Sequence, residues 1–258
     1  MSFRRPFTFT SLRPLWTGFR GELGGLIDRF LPIRCAFCDA LLASSAQPAL
    51  CSSCLRSLAE NKPASCTRCA LPYPNYGGSD HLCGDCQLQR PPYRTVYALG
   101  VYEGPLRQTI HHFKYHRDFT LATPLGHLLA EAALRPGLSQ PDLILPVPLH
   151  PRRLRQRTFN QSLLLARIIG KQNNIPVAAN RLRRVLHTPH QQGLSLEDRR
   201  HNLLKAFTLR SRLNGESVLL VDDVMTSGAT VAACTKVLLE NGAQSVDVAV
   251  LARAAKWL

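Results

Sequence analysis

The spacing of apolar positions along this 258-residue chain changes character near residue 90. Beyond it, short continuous apolar runs take turns with stretches in which apolar residues recur at helical spacing. Val218 to Val221 is such a run, bounded in front by Asn214-Gly215, and reads as a buried strand. From Ala229 the pattern turns helical (AlaThrValAlaAlaCysThrLysValLeuLeuGlu), and Asn241-Gly242 ends it. Thr95 to Tyr102 reads as a strand, Glu103-Gly104-Pro105 as a turn, and Leu106 to Tyr115 as a helix with a proline near its first position. Further helices are expected at Thr123 to Arg135 and at about Thr158 to Gly170, with strands at Leu143 to Pro148 and Ser245 to Leu251. From residue 95 onward the expected order is strand, helix, strand, helix, strand, loop, strand, helix, strand. This order predicts an α/β fold, a mostly parallel sheet with helices on both faces.

Before residue 90 no such order is visible. Residues 1 to 34 are basic and weakly patterned, with one short amphipathic helix expected at Glu22 to Leu31 despite Gly24-Gly25. Segment 35 to 90 is organised by cysteine instead, and Gln89-Arg90-Pro91-Pro92 links it to a larger domain at 91 to 258, because consecutive prolines resist both helix and central strand.

Four Cys-x-x-Cys pairs occupy that segment: Cys35/Cys38, Cys51/Cys54, Cys66/Cys69 and Cys83/Cys86, with 12, 11 and 13 residues between them. Two such pairs can close a tetrahedral thiolate site that leaves no position for water, so two structural zinc ions are expected, with disulfides as the competing reading. Sequential pairing gives a double zinc ribbon and alternate pairing a cross-braced one; spacing allows both. A segment this small and polar needs metal to fold. His81 precedes Cys83, but eight cysteines already complete both sites.

The formal charge is +15 and the pI about 10. Each tetrathiolate zinc would carry two negative charges, lowering the total to about +11. The surface is then either a plain solvated one or one that attracts polyphosphate, DNA or RNA. Hydrophobic residues make up 45% of the chain, enough for a buried core. No run of about 18 apolar residues occurs, and Arg13 interrupts the N-terminal apolar stretch, so neither a membrane span nor a signal peptide is expected and the cytoplasm is the expected location.

Candidate chemistry concentrates after the run at 218. Asp222-Asp223 is followed by Val-Met and then Thr226-Ser227-Gly228-Ala229-Thr230 at a strand-to-helix turn. Such a turn aims backbone N–H groups and a helix N-terminus at one point, which suits a phosphate, while the carboxylates suit ribose hydroxyls. A second basic segment, Leu149 to Gln161, follows the strand at 143 and contains Arg152, Arg153, Arg155 and Arg157. It is either an anion-binding loop at a strand's carboxyl end or a solvated charge run. Lys114 is either a solvated helix end or a pyrophosphate contact. The polar stretch 187 to 207, with a helix expected from Ser195, is a candidate lid.

The run ValAspAspValMetThrSerGlyAlaThr resembles the phosphoribosyl-pyrophosphate (PRPP) signature of type I phosphoribosyltransferases. Together with the four cysteine pairs, Phe113-Lys114-Tyr115, Pro146-Val147-Pro148-Leu149-His150, Arg157-Thr158-Phe159-Asn160-Gln161, Gln191-x-x-Leu194-Ser195 and Arg199-x-x-Asn202, it is similar to the ComF/GntX family over about residues 30 to 254. The resemblance implies a type I phosphoribosyltransferase fold, PRPP with Mg²⁺ as ligand, and a role in DNA uptake for some members. It implies that Asp222 and Asp223 meet the ribose hydroxyls and are the catalytic pair, that Thr226, Ser227, Gly228, Ala229 and Thr230 hold the 5′-phosphate, and that Val147, Pro148, Leu149, His150, Arg152, Arg153, Arg157 and Lys114 lie on the pyrophosphate side. The family usually has glycine where this chain has Thr158, and a second threonine at Ser227. Hypoxanthine-type enzymes carry a carboxylate at the place of Thr226, which points away from purine salvage. Two functions stand: phosphoribosyl transfer to an acceptor, or a non-catalytic PRPP-responsive or single-stranded-DNA-binding protein acting with competence proteins.

Overall fold

A computed structural model describes residues 34–42, 50–60, 63–74, 78–115, 118–135, 140–185 and 206–255. The expected helix at 22–31 and most of the candidate lid lie outside them. Within the cysteine segment are α1 (Ser52–Glu60) and α2 (Gly84–Leu88). Then follow β1 (Val96–Val101), α3 (Gly104–Tyr115), a 3₁₀ turn at Phe119–Leu121, α4 (Ala122–Ala133), β2 (Leu143–Pro146), α5 (Pro151–Arg157), α6 (Gln161–Asn173), β3 (Leu182–Arg184), β4 (Phe207–Leu209), β5 (Ser217–Met225), α7 (Ala229–Glu240) and β6 (Ser245–Arg253).

Four strands form the main sheet in the order β1-β6-β5-β2, all parallel, with Val96 opposite Val248, Ser217 opposite Ser245 and Leu143 opposite Val218. The predicted parallel sheet is therefore present. The alternation was simpler on paper than in the fold, because two helices, α3 and α4, follow β1 before the next strand. The short antiparallel pair β3 and β4, which apolar spacing did not signal, flanks segment 186–205.

Side chains alternate across β5 because successive Cβ atoms point to opposite faces. Val218 and Leu220 join one core with Leu145, Val248 and Val250 under α7. Leu219 and Val221 join the other, with Ile144 and Leu251 beneath α3, α4 and α6. Each aliphatic side chain buried this way contributes about 1.5–3 kcal/mol, so the sheet is fixed in register by both cores.

The cysteine segment straddles the β1 edge. Cys35 and Leu50 belong to one core, and the Thr109 hydroxyl of α3 donates to the Ala36 carbonyl at 3.0 Å. Cys66, Cys69, Cys83 and Cys86 belong to the other core, and Val96 N–H donates to the Arg68 carbonyl at 2.8 Å. On the far edge, Val177 bridges β2 through Ile144 N–H to the Pro176 carbonyl and Ala178 N–H to the Ile144 carbonyl, both 2.9 Å.

The basic segment after β2 corrects an expectation. Instead of a loop running to Gln161 with a helix from Thr158, it forms α5 and then α6. Pro151 sits in the first turn of α5, where its missing N–H costs nothing, and His150 Nδ1 accepts from Arg152 N–H at 3.2 Å as the cap. Thr158 ends α5 in the left-handed region with φ 68°. Asn160 then starts α6, its side chain accepting from Ser162 N–H.

Candidate functional site

At the carboxyl end of β5 the two carboxylates receive different partners. The Ser162 hydroxyl donates to Asp222 Oδ1 at 3.0 Å, and Asp223 N–H donates to the same oxygen at 2.9 Å. Asp223 pairs with Lys114 Nζ at 2.9 Å, both side chains being 13% exposed. Asp222 keeps part of its surface open, but its carboxyl is enclosed. That burial first, and the neighbouring Asp223 charge second, push its pKa up to about 7, against the opposing pull of the Asp223 N–H, Ser162 and Lys114.

The turn that follows joins a left-handed glycine to the start of a helix. Gly228 precedes α7 with φ 79° and has no side chain to cap it, while Ser227 Oγ accepts from Ala229 N–H at 3.3 Å. A Cβ on Gly228 would meet the flexible end of Met225, with Cε 2.5 Å away, so it is the left-handed backbone rather than contact that favours glycine here. A pocket of about 40 Å³ opens here, lined by Asp222, Val224, Met225 and the run Thr226 to Val231. It brings the first carboxylate and all five expected phosphate residues around one opening at a helix N-terminus.

The expected pyrophosphate-side residues divide. Lys114 joins the site through Asp223. Val147 is held from both sides: its N–H donates to the Val221 carbonyl at 2.8 Å, and its carbonyl accepts from Asn160 Nδ2 at 3.1 Å. Gln161, fully buried, donates to the Lys114 carbonyl at 3.4 Å, while its Oε1 has no hydrogen-bond partner. Phe159-Asn160-Gln161 is thus a clamp between the segment after β2 and the end of α3. Pro148, Leu149 and His150 are half-buried, Arg152 is exposed and Arg153 half-buried. The side chain of Arg157 lies outside the described residues.

Two site residues had escaped attention in the sequence. Ser162 touches Asp222 from a position 60 residues away. Arg184 on β3 lies over the Phe207 ring at 5.5 Å; burial first and the Arg153 charge second lower its pKa, while Asp222 raises it. The charge of this β3 residue is therefore felt by both Asp222 and Arg153.

The eight cysteines gather as Cys35/Cys38/Cys51/Cys54 and Cys66/Cys69/Cys83/Cys86, with all four sulfurs of each group within 4.8 Å of one another. Pairing is sequential. The two groups are internal repeats: Cys35 N–H donates to the Ala40 carbonyl and Cys66 N–H to the Leu71 carbonyl, while Asp39 and Ala70 occupy matching positive-φ positions. Backbone N–H groups also point at the sulfurs, Cys51 to Cys35 and Cys83 to Cys66, both at 3.3 Å. Thiolates, not disulfides, use such donors, and the sets fit structural zinc. His81 stacks on Tyr73 with centroids 4.2 Å apart and belongs to neither group.

Comparison with known proteins agrees with both halves. The family described as "Double zinc ribbon domain" matches residues 26–87, and "Phosphoribosyl transferase domain" matches residues 162–256. The chain is 34% identical over 237 residues to "Competence protein F" of Haemophilus influenzae, covering 87% of this chain and 99% of that protein. It is 36% identical over 209 residues to "DNA utilization protein YhgH" of Escherichia coli (strain K12), covering 79% and 90%. To "Competence protein ComFC" of Bacillus subtilis it is 24% identical over 237 residues, covering 86% and 93%. Among the described residues, no helix is long and apolar enough to cross a membrane.

Proposed function

This chain belongs to the ComF family, and we propose that it binds PRPP with Mg²⁺ at the β5–α7 turn and transfers the phosphoribosyl group to an acceptor, releasing pyrophosphate. One observation carries the reading: Asp222 lines the same small pocket as the start of α7, with Asp223 beside it. The turn would take the 5′-phosphate on its backbone N–H groups. The carboxylates would accept from the ribose hydroxyls, and those new donors favour the ionised form of Asp222 that burial disfavours.

On the leaving side, Lys114, Arg153 and Arg184 supply positive charge for pyrophosphate as C1′ acquires oxocarbenium character. Mg²⁺, a hard ion suited to carboxylate and phosphate oxygens, would add charge neutralisation there, and Asp222 and Asp223 are the donors at hand. Ser162, Asn160 and Gln161 hold the two carboxylate-bearing and pyrophosphate-bearing segments in register.

Calorimetry with Mg-PRPP tests the ligand. Wild type should give a saturable heat that Asp222→Asn with Asp223→Asn removes; a wild type silent at millimolar Mg-PRPP sinks the assignment. PRPP-dependent pyrophosphate release, screened against bases and nucleotides, then tests transfer. The names of the relatives favour a role in DNA uptake, with single-stranded DNA or competence proteins as partners. Binding to single-stranded DNA should weaken steeply with salt, and undetectable affinity at about 50 mM salt refutes it. Eight reduced thiols holding zinc suit the cytoplasm, where thiols stay reduced.

A further inference from the structure

The phosphate turn rests on the second zinc ribbon through one buried cation. Arg253, the last residue of β6, is 6% exposed. Its Nε donates to the Cys69 carbonyl at 3.1 Å, and its Nη1 to the carbonyls of Met225 at 3.1 Å, Ala254 at 2.9 Å and Thr226. Among the described residues no carboxylate pairs with it. A buried guanidinium is costly unless its donors are met. Here backbone carbonyls accept from Nε and Nη1, and a tetrathiolate zinc on the Cys69 side would bring two negative charges.

The direction of those carbonyls matters. In a planar trans peptide the C=O and the following N–H point opposite ways. Drawing the Met225 and Thr226 carbonyls onto Arg253 therefore turns the N–H groups of Thr226 and Ser227 away from it. Those two residues line the pocket. The same guanidinium holds the backbone of Cys69, a zinc-site cysteine, and Met225, Tyr93 and Val231 share one buried cluster with the cysteines of that site. The first zinc site packs in the other core, against α3.

We propose that Arg253 is a positioning residue that locks the start of the phosphate turn to the second zinc site, so that zinc held by Cys66, Cys69, Cys83 and Cys86 and anion binding at the turn are energetically linked. The binding half of this linkage rests on the PRPP reading; the mechanical half does not. Linkage is reciprocal: the factor by which the second zinc strengthens anion binding is the factor by which the anion strengthens zinc retention. Only the second site is coupled.

The test uses the full zinc-loaded protein and the variants Arg253→Gln and Arg253→Lys, with zinc counted at two per chain in each. Hydrogen exchange is followed in peptides covering residues 224–232, with α4 peptides as the internal control. Both variants should exchange about 10-fold or more faster at the turn, with α4 unchanged and Arg253→Lys the milder. Separately, the affinity of the second site for zinc in wild type, read by equilibrium competition with a chelator, should rise about 5-fold or more with saturating Mg-PRPP, an effect that Arg253→Gln abolishes. If turn exchange in both variants stays within 2-fold of wild type, the proposal is overturned. If wild type fails to bind Mg-PRPP in calorimetry, the functional reading falls, while the exchange data still decide whether Arg253 links turn and ribbon. A variant that loses zinc or exchanges globally is replaced by the milder Arg253→Lys, and unchanged turn exchange there overturns the proposal on its own.

Discussion

Replacing Lys114 by methionine removes the one cation that, among the described residues, pairs with the carboxylates, while keeping most of the buried stem. At an effective dielectric of about 20, unit charges 2.9 Å apart attract by about 6 kcal/mol. Desolvation of the two partners offsets more than half of this, leaving a net loss of about 2–3 kcal/mol when the pair is broken. The pH dependence follows from Asp222. Its folded pKa of about 7 lies above the ordinary 3.8, so the folded state binds its proton more tightly, and stability falls as pH rises from about 4 to about 7. Lys114 lowers that pKa; without it the fall is deeper and extends above pH 7. Urea denaturation of Lys114→Met and wild type at pH 5 and pH 8.5 should show a difference near 1 kcal/mol at the lower pH and 2–3 kcal/mol at the higher. Equal losses at both pH values, or a loss greater at pH 5, would refute the assignment of Lys114 as counter-ion to this pair.

Gly228→Ala forces a side chain into a left-handed position and against Met225 Cε; it should cost about 2 kcal/mol in thermal or chemical denaturation and weaken Mg-PRPP binding about 10-fold, with zinc content unchanged. Thr158→Gly relieves a β-branched residue at φ 68° and should stabilise by about 0.5–1 kcal/mol, read as a higher unfolding midpoint. A chromogenic chelator should remove two zinc ions per chain in two phases, the first from the site with exposed Cys38 and the slower from the fully buried one. A single phase would contradict the difference in burial.

Much of the architecture was legible because it is local. The Cys-x-x-Cys spacing announced zinc, and the run from Val218 to Thr230 announced a strand, two carboxylates and an anion-binding turn. Sequential pairing of the cysteines into a double ribbon was the expected arrangement and is the one present, although spacing alone also permits a cross-braced one. Arginine-rich α5 was read as a loop because it has no apolar stripe, although Pro151 at its start and His150 as cap were signals in plain view. Thr158 sits where α5 ends in the left-handed region, a conformation that favours glycine, and nothing in the structure explains the threonine. Lys114 is not a solvated helix end: it is largely buried and pairs with Asp223, a contact the sequence did not signal. Ser162, Arg184 and Arg253 escaped because their partners are distant in the chain, 184 positions away for Arg253 and Cys69; no periodicity encodes such contacts.

The ribbon laid along β1 has a bearing on solubility. An outer strand with bare N–H and C=O groups invites a strand from another molecule to add to it. Here the Arg68 carbonyl occupies the Val96 N–H on one flank, and the Val177 bridge occupies the other. The second flank is guarded by ordinary chain, but the first is guarded by a segment that keeps its shape only with metal. Scarce zinc would therefore leave cells with an adhesive sheet rather than merely an idle protein, and would make metal supply during synthesis a determinant of whether newly made chains stay apart.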